Sequence, residues 1–418
     1  MELEKQVREA AESAKRAARA LAKCTTAAKN NALLAMANRL EAQIAPLLSE
    51  NAKDVQNASA RGLSTPLIER LTLNPKRVAE MAAGLREIAA LPDPVGEILG
   101  LTRRPNGMQV GRMRVPIGLI GIIYESRPNV TADVAGLCIK SGNGVLLRGG
   151  SEAIHSNLAI AHLLREEAEK AGLPAEGITL LTSTDRQAIF EMLKLDGIID
   201  LVIPRGGREL MQSVTAHARM PVIKHDQGLC HIFVDASADL SPAVDICVNA
   251  KVQRPAVCNA METLLVHQSV APAFLPRLAE RLRDAKCEMR GCPRTRAILP
   301  DIVAATEADW HEEYLALILS IKVVEDLDAA MAHIATYGSA HSEAILTRHH
   351  PNAMRFLNEV DASAVLINAS TRLNDGFQLG LGAEMGISTS RIHARGPMGL
   401  TALTCEKFIV LGDGHIRQ

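Results

Sequence analysis

Residues 118–124 read Gly-Leu-Ile-Gly-Ile-Ile-Tyr and residues 144–148 read Gly-Val-Leu-Leu-Arg, with a helical pattern over 130–141 between them. An apolar run without alternation is the signature of a strand covered on both faces. The pattern then repeats outward. A helix is expected over 151–170, a strand over 178–181, a helix over 184–194, a strand over 198–204 and a helix over 207–217. Strands alternating with helices predict an α/β layer with a mostly parallel sheet, in which ligands bind beyond the carboxyl ends of the strands. Arg148-Gly149-Gly150-Ser151 and Arg205-Gly206-Gly207 both fall at such strand ends, each opening into a helix. Backbone N–H groups beside a guanidinium suit a phosphate. Neither stretch is a G-x-G-x-x-G fingerprint, so a purely structural glycine turn stands as the alternative.

A second alternation begins at 230. Strands are expected at 231–235, 262–267, 297–300, 320–326, 343–348 and 365–368, with helices at 238–250, 271–285 and 326–335. This is read as a second α/β domain. Ahead of both, residues 3–60 read as two Ala-rich helices. A third is expected over 75–90, with Asn74 as its cap and Pro75 in its first turn. Residues 97–115 read as two strands joined at Asn106-Gly107, a strong hairpin signal. A last strand is expected over 406–412.

Composition narrows the function. The chain has 418 residues, enough for two or three domains. It is 47% hydrophobic and 22% charged, with a net charge of −1. No global field recruits nucleic acid or an acidic membrane. With one Trp, three Tyr and six Phe, stacking platforms for single strands are not expected. No apolar run is long enough to span a bilayer, and the charged N-terminus does not resemble a signal peptide. Eight cysteines occur without a C-x-x-C pair, so no metal site is expected. Scattered reduced thiols fit a cytoplasmic protein.

One cysteine stands apart. Val252–Val266 reads V-Q-R-P-A-V-C-N-A-M-E-T-L-L-V, placing Cys258 after a proline turn and ahead of regular structure. Such a thiol can be exposed at an edge and activated by helix N–H groups, as a nucleophile requires. The alternative is a buried structural cysteine. A Cys–His hydrolase with His225 or His267 as base is a second functional class.

Four long motifs carry a resemblance. They are Val115–Thr131 (V-P-I-G-L-I-G-I-I-Y-E-S-R-P-N-V-T), Lys140–Glu152 (K-S-G-N-G-V-L-L-R-G-G-S-E), Val252–Val266, and the stretch 376–400 ending R-I-H-A-R-G-P-M-G-L. On these the chain resembles the aldehyde dehydrogenase superfamily from about residue 5 to 415, and within it the gamma-glutamyl phosphate reductases. The resemblance implies an aldehyde dehydrogenase-like α/β fold. A Rossmann-type NADPH-binding domain would comprise 1–96 and 116–228, with a return segment near 361–395. A catalytic domain, 229–360, would carry Cys258. The 97–115 hairpin and 406–418 would form a β-hairpin oligomerisation arm, and hence a homo-oligomer.

The implied reaction is NADPH-dependent reduction of L-glutamyl 5-phosphate to L-glutamate 5-semialdehyde and phosphate, the second step of proline biosynthesis. Cys258 would form a thioacyl intermediate. Asn129 is the candidate oxyanion donor, its alternative being a cap on the following helix. Arg148, Ser151, Arg205, Gly206, Gly207 and Glu313 are the implied cofactor residues, with Arg148 and Ser151 favouring a 2′-phosphate. Arg127, Arg254, Arg391 and Arg395 are candidates for the substrate's anionic groups. Hydrolytic relatives carry a water-activating glutamate where this chain reads Ile223-Lys224-His225-Asp226-Gln227-Gly228. Its absence fits an enzyme that must not hydrolyse its thioester. The lability of an acyl phosphate also makes a transient contact with the glutamate kinase that forms it an expectation.

Overall fold

The computed structural model describes residues 2–224 and 227–417. The N-terminal region forms α1 (Glu2–Leu21), α2 (Thr26–Ala42), α3 (Ile44–Ala60), α4 (Thr65–Leu71) and α5 (Pro75–Ala90). The expected pair of helices over 3–60 is therefore three. The chain breaks at Cys24–Thr25 and again at Gln43, where the Thr25 hydroxyl caps α2 but no side chain caps α3. Alanine periodicity alone runs through both breaks. For α5, Asn74 accepts from the Arg77 N–H at 2.8 Å, the cap anticipated from sequence.

Next come β1 (Ile98–Arg103), β2 (Gln109–Pro116), β3 (Leu119–Tyr124), α6 (Asn129–Lys140), β4 (Gly144–Gly149), α7 (Ile154–Lys170), β5 (Ile178–Leu180), α8 (Gln187–Met192), β6 (Leu201–Arg205) and α9 (Arg208–His217). Strands β5-β4-β3-β6 make one parallel sheet. All six residues of β3 are buried, as the unbroken apolar run requires. Each such aliphatic side chain contributes about 1.5–3 kcal/mol by leaving water. The small face of α1, with Ala14 and Ala18 buried, comes close to β4. A Cβ on Gly144 would lie 2.9 Å from the Ala18 Cβ, so this approach depends on glycine.

The second half forms β7 (Cys230–Val234), α10 (Leu240–Val252), β8 (Met261–His267), α11 (Ala271–Asp284), β9 (Glu288–Gly291), α12 (Pro293–Ile298), β10 (Val303–Ala304), β11 (Ile318–Val324), α13 (Leu327–Tyr337), β12 (Ser342–Leu346), α14 (His350–Glu359) and β13 (Ala364–Ile367). These strands make a parallel sheet in the order β10-β9-β11-β8-β7-β12-β13. The strand expected at 297–300 is instead the end of α12 and its exit. Pro293 at the helix start forces that outcome, and the strand is β9, a few residues earlier. A short pair, β14 (Ile387–Ser388) and β15 (Gly396–Pro397), follows, and β16 (Thr404–Leu411) ends the chain. Strand β16 pairs antiparallel with β2, giving a three-stranded sheet β1-β2-β16. The turn between β1 and β2 is closed by Gly107, at φ +96°, donating to the Arg104 carbonyl at 2.8 Å.

The chain divides into two compact units. One is Met1–Lys224 with Leu381–Gly386 and Met398–Gln418; the other is His225–Gly380 with Ile387–Pro397. Of the return segment expected at 361–395, only Leu381–Gly386 clusters with the first unit. The rest stays with the second because β13 pairs with β12.

Candidate active site

In the second unit Cys258 lies, part-exposed, in the turn between α10 and β8. Regular structure does follow it, but as a strand. Activation by a helix N-terminus is therefore corrected, since the only adjoining helix ends here. The turn is closed by the Ala260 N–H donating to the Val257 carbonyl at 3.1 Å. Its back is braced by Gly228, just ahead of β7. A Cβ on Gly228 would overlap the Cys258 carbonyl group and Cα, so only glycine fits. The Gly228 N–H in turn donates to Glu313 Oε1 at 3.0 Å. Burial, foremost, raises the Glu313 pKa. Glu313 thus joins the thiol's surroundings through the backbone that supports them.

A polar chain continues beneath. The buried Cys230 thiol donates to the Cys258 carbonyl at 3.1 Å and lies 3.6 Å from His341 Nδ1, which contacts the Ser342 hydroxyl at 2.8 Å. Burial first, then Glu343, pushes the Cys230 thiol far up, so it stays protonated. Buried Asn259 donates to the Asn374 carbonyl at 2.9 Å and accepts from Arg372, whose Nε donates to Gln253 Oε1 at 2.9 Å. Asn374 donates to Ser342 Oγ at 2.8 Å. All of this gathers at the amino ends of β7, β8 and β12. Arg372 was missed in the sequence; its only signal is a basic residue a few positions ahead of the 376–400 motif.

Under the turn, Lys251 and Glu262 form a fully buried pair at 2.5 Å. Burial outweighs the Lys251 charge and pushes Glu262 up to about 7. His267 ends β8, bonded to Ser269, with the whole strand between it and the Cys258 turn. That separation, about 20 Å for a seven-residue strand, removes it as a base for this thiol. His225 and Asp226 lie outside the described residues. Among the substrate arginines, Arg391 and Arg395 both bind Asp361, the latter at 2.7 Å. They form an ion-paired clamp on the 387–397 segment. Arg254 is exposed and adjacent to Arg372.

In the first unit the two glycine turns lie at the carboxyl ends of β4 and β6, on either side of β3. Arg148 does not face outward. Its buried guanidinium donates to the Gly149 carbonyl at 2.6 Å, Thr184 at 3.0 Å and Asp185 at 3.1 Å. It clamps the loop after β5, which corrects its expected role as a direct phosphate ligand. That loop presents Arg186, exposed, whose guanidinium has no hydrogen bond or ion pair to a described residue. Ser151 opens the short 3₁₀ turn Ser151–Ala153. Beside it, Glu152 Oε1 accepts from the Ser126 N–H at 2.6 Å and hydroxyl at 2.8 Å. Arg205 ends β6 with its guanidinium against Gly386. Gly207 caps α9 without a side-chain bond of its own, and its N–H donates to Glu125 Oε2 at 3.0 Å. The Gly207 turn thus already accepts a carboxylate of the chain on its N–H, which marks it as anion-accepting.

Arg127 is exposed at the head of α6. Asn129 is the first helical residue rather than its cap; the cap position is Pro128. Its amide donates to Asp133 Oδ2 at 3.0 Å, one turn later. Burial pushes the Asp133 carboxyl up to about 6, against the Asn129 bond and the Arg205 charge. Among the described residues, no cluster of three or more His, Cys, Asp or Glu is placed to hold a metal, and no helix is long and apolar enough to cross a membrane.

Known proteins match this chain along its length. The model of the aldehyde dehydrogenase family matches residues 2–297. Gamma-glutamyl phosphate reductases of Thermodesulfovibrio yellowstonii and Geobacter metallireducens are each 55% identical over 418 residues, covering 100% of this chain and of theirs. The crystal structure of gamma-glutamyl phosphate reductase from Thermotoga maritima superimposes with a TM-score of 0.97 at 48% identity, covering 99% of this chain and 100% of that one. An acetylating aldehyde dehydrogenase from Geobacillus thermoglucosidasius shares the fold, with a TM-score of 0.70 at 18% identity. The chain belongs to the aldehyde dehydrogenase family, in its gamma-glutamyl phosphate reductase branch.

Proposed function

We propose that this protein reduces L-glutamyl 5-phosphate to L-glutamate 5-semialdehyde and phosphate, the second step of proline biosynthesis. The observation that carries the reading is the unbroken 55% identity to gamma-glutamyl phosphate reductases over all 418 residues. The part-exposed Cys258 turn, braced by Gly228, supplies the chemistry. The Cys258 thiolate attacks the acyl carbon, a C–S bond forms, the C–O bond to phosphate breaks, and a thioester remains. The nicotinamide ring, when bound, supplies the hydride. The Cys258 backbone N–H is a donor for the resulting oxyanion, and Asn129, whose amide donates to Asp133, remains the candidate for the side-chain donor. Collapse of the adduct releases the aldehyde and returns the thiolate. No glutamate stands in the 223–228 stretch to activate water.

The cofactor reading is NADPH. Arg148, Ser151, Arg205, Gly206 and Gly207 form the turns that would take the dinucleotide, and Glu313 is the residue the family resemblance gives to the nicotinamide ribose. Arg148 organises the loop after β5, and the unpaired Arg186 on it suits a 2′-phosphate. A homo-oligomer is part of the same reading. The β1-β2-β16 sheet exposes Phe408, Val410 and Leu411, each more than half accessible, along the open edge strand β16. Exposed apolar residues on an unpaired edge favour strand addition between copies. The reading puts the enzyme in the cytoplasm, where its thiol stays reduced, receiving substrate from glutamate kinase.

The test runs the reaction backwards. Glutamate 5-semialdehyde and the oxidised nicotinamide should give sustained turnover only when phosphate is added. Sustained turnover without phosphate would mean hydrolysis and would overturn the reading.

A further inference from the structure

We infer that Arg372, together with Arg254, binds the phosphate that Cys258 displaces, and that this pair makes the enzyme specific for an acyl phosphate. The inference rests on the reaction proposed above. Four observations carry it.

First, Arg372 is fixed against the nucleophile's own turn. Its Nε donates to Gln253 Oε1 at 2.9 Å and its Nη1 donates to Asn259 Oδ1. Gln253 starts the turn and Asn259 follows Cys258 directly. Second, both anchors are neutral amides. Among the described residues neither Arg372 nor Arg254 has a carboxylate within ion-pair distance, and Arg254 has no hydrogen bond either. The nearby Asp375 is turned to its own backbone, with Oδ1 accepting from Phe377 and Gln378. Third, the two guanidinium groups are close enough that, after burial, Arg254 depresses the Arg372 pKa, while Asp375 and then Cys258 raise it. Two like charges held together with no carboxylate directly paired to either form a site for a multiply charged anion. Fourth, Asn259 cannot simply turn away, because its amide nitrogen is bound to the Asn374 carbonyl at 2.9 Å. The Arg372 fork is thus pre-oriented, with its Nη2 donors unengaged.

Phosphate fits this place better than the substrate's α-carboxylate does. The bridging oxygen of the phosphate is bonded to the very carbon that Cys258 attacks. The carboxylate sits at the far end of the carbon chain. As the C–S bond forms, the electron pair of the breaking C–O bond moves onto the phosphate oxygen. The added negative charge develops where the two guanidinium groups converge, and the anion then takes a proton from water. In reverse, the same pair holds phosphate for attack on the thioester.

The experiment separates the half-reactions. With glutamate 5-semialdehyde and excess oxidised nicotinamide but no phosphate, the wild type should release one equivalent of reduced nicotinamide per Cys258 and stop. Arg372→Gln should keep that burst and raise the KM for phosphate about tenfold or more, the loss typical of a charge-assisted contact. The KM for the semialdehyde should stay within about twofold. An unchanged phosphate KM overturns the inference. A lost burst would make Arg372 a support for the Cys258 turn and overturns it too. A raised semialdehyde KM with phosphate unaffected would assign Arg372 to the carboxylate and likewise overturns the inference. If Arg372→Gln does not fold, Arg372→Lys keeps the charge and loses the fork; its phosphate KM must still rise. A wild type that shows no phosphate dependence refutes the reaction itself, a result distinct from all of these.

Discussion

Gly228 and Cys258 touch backbone to backbone, leaving no room for a side chain on the glycine. The contact sets where the thiol stands, because the Gly228 N–H is itself pinned by Glu313 at 3.0 Å. Gly228→Ala should therefore displace the Cys258 turn. A misplacement of about 1 Å can cost about 100-fold in rate, and kcat should fall by that order. Far-ultraviolet dichroism should be unchanged. Full activity in this variant would show that the turn relaxes freely.

Cys258→Ala removes the nucleophile. Turnover should drop by at least about 10⁴-fold, as when other covalent nucleophiles are removed. Binding of the reduced nicotinamide, read by quenching or energy transfer, should persist. Residual turnover above that level would exclude a thioacyl route.

The layering of both units was legible because parallel strands covered on two faces leave uninterrupted apolar runs, as in Leu119–Tyr124. Motif order then pointed to Cys258. What the sequence hid were contacts between distant segments. Nothing local says that Arg148 turns inward onto Thr184 and Asp185, or that Arg391 and Arg395 share Asp361. Arginine's chemistry is the same in a clamp and in a ligand site; only its partners differ. Arg372 was invisible for the same reason, since its partner Asn259 lies more than a hundred positions away.

The Asp361 clamp predicts a structural phenotype. Arg391→Gln should leave the KM for substrate within about twofold. Exposed ion pairs are worth about 0.2–1 kcal/mol, and denaturant midpoints should shift by no more than that. Because both arginines hold the Asp361 pKa down, Arg395 most strongly, this contribution is present above the usual aspartate range. It is lost as pH falls through the lowered value. A large rise in substrate KM would restore Arg391 to the binding site.

Asp133 behaves oppositely. Its carboxyl titrates at about 6 in the folded protein, against about 3.9 in an unfolded chain. The folded state binds the proton more tightly. The associated stability is complete below about pH 4 and is lost as pH rises through about 6. Asp133→Asn removes the titration while keeping an acceptor for Asn129. Relative to wild type, its urea midpoint should therefore improve between pH 4.5 and pH 7.5. A constant difference across that range would mean that Asp133 is not perturbed.

Arg148 and Arg186 should separate by cofactor. Arg148 donates to three backbone carbonyls, two of them in the loop after β5. Arg148→Gln should loosen that loop and weaken NADPH and NADH alike, with lower stability. Arg186 is exposed on the same loop, its guanidinium without a partner among the described residues. Arg186→Gln should raise the KM for NADPH about tenfold or more, the scale of one charge-assisted phosphate contact. NADH should be nearly unaffected. The comparison needs all four KM values under one salt concentration, because exposed charge is screened over about 8 Å at physiological ionic strength. Equal effects of Arg186→Gln on both cofactors would remove the case for a 2′-phosphate contact at this loop, and with it the preference for NADPH.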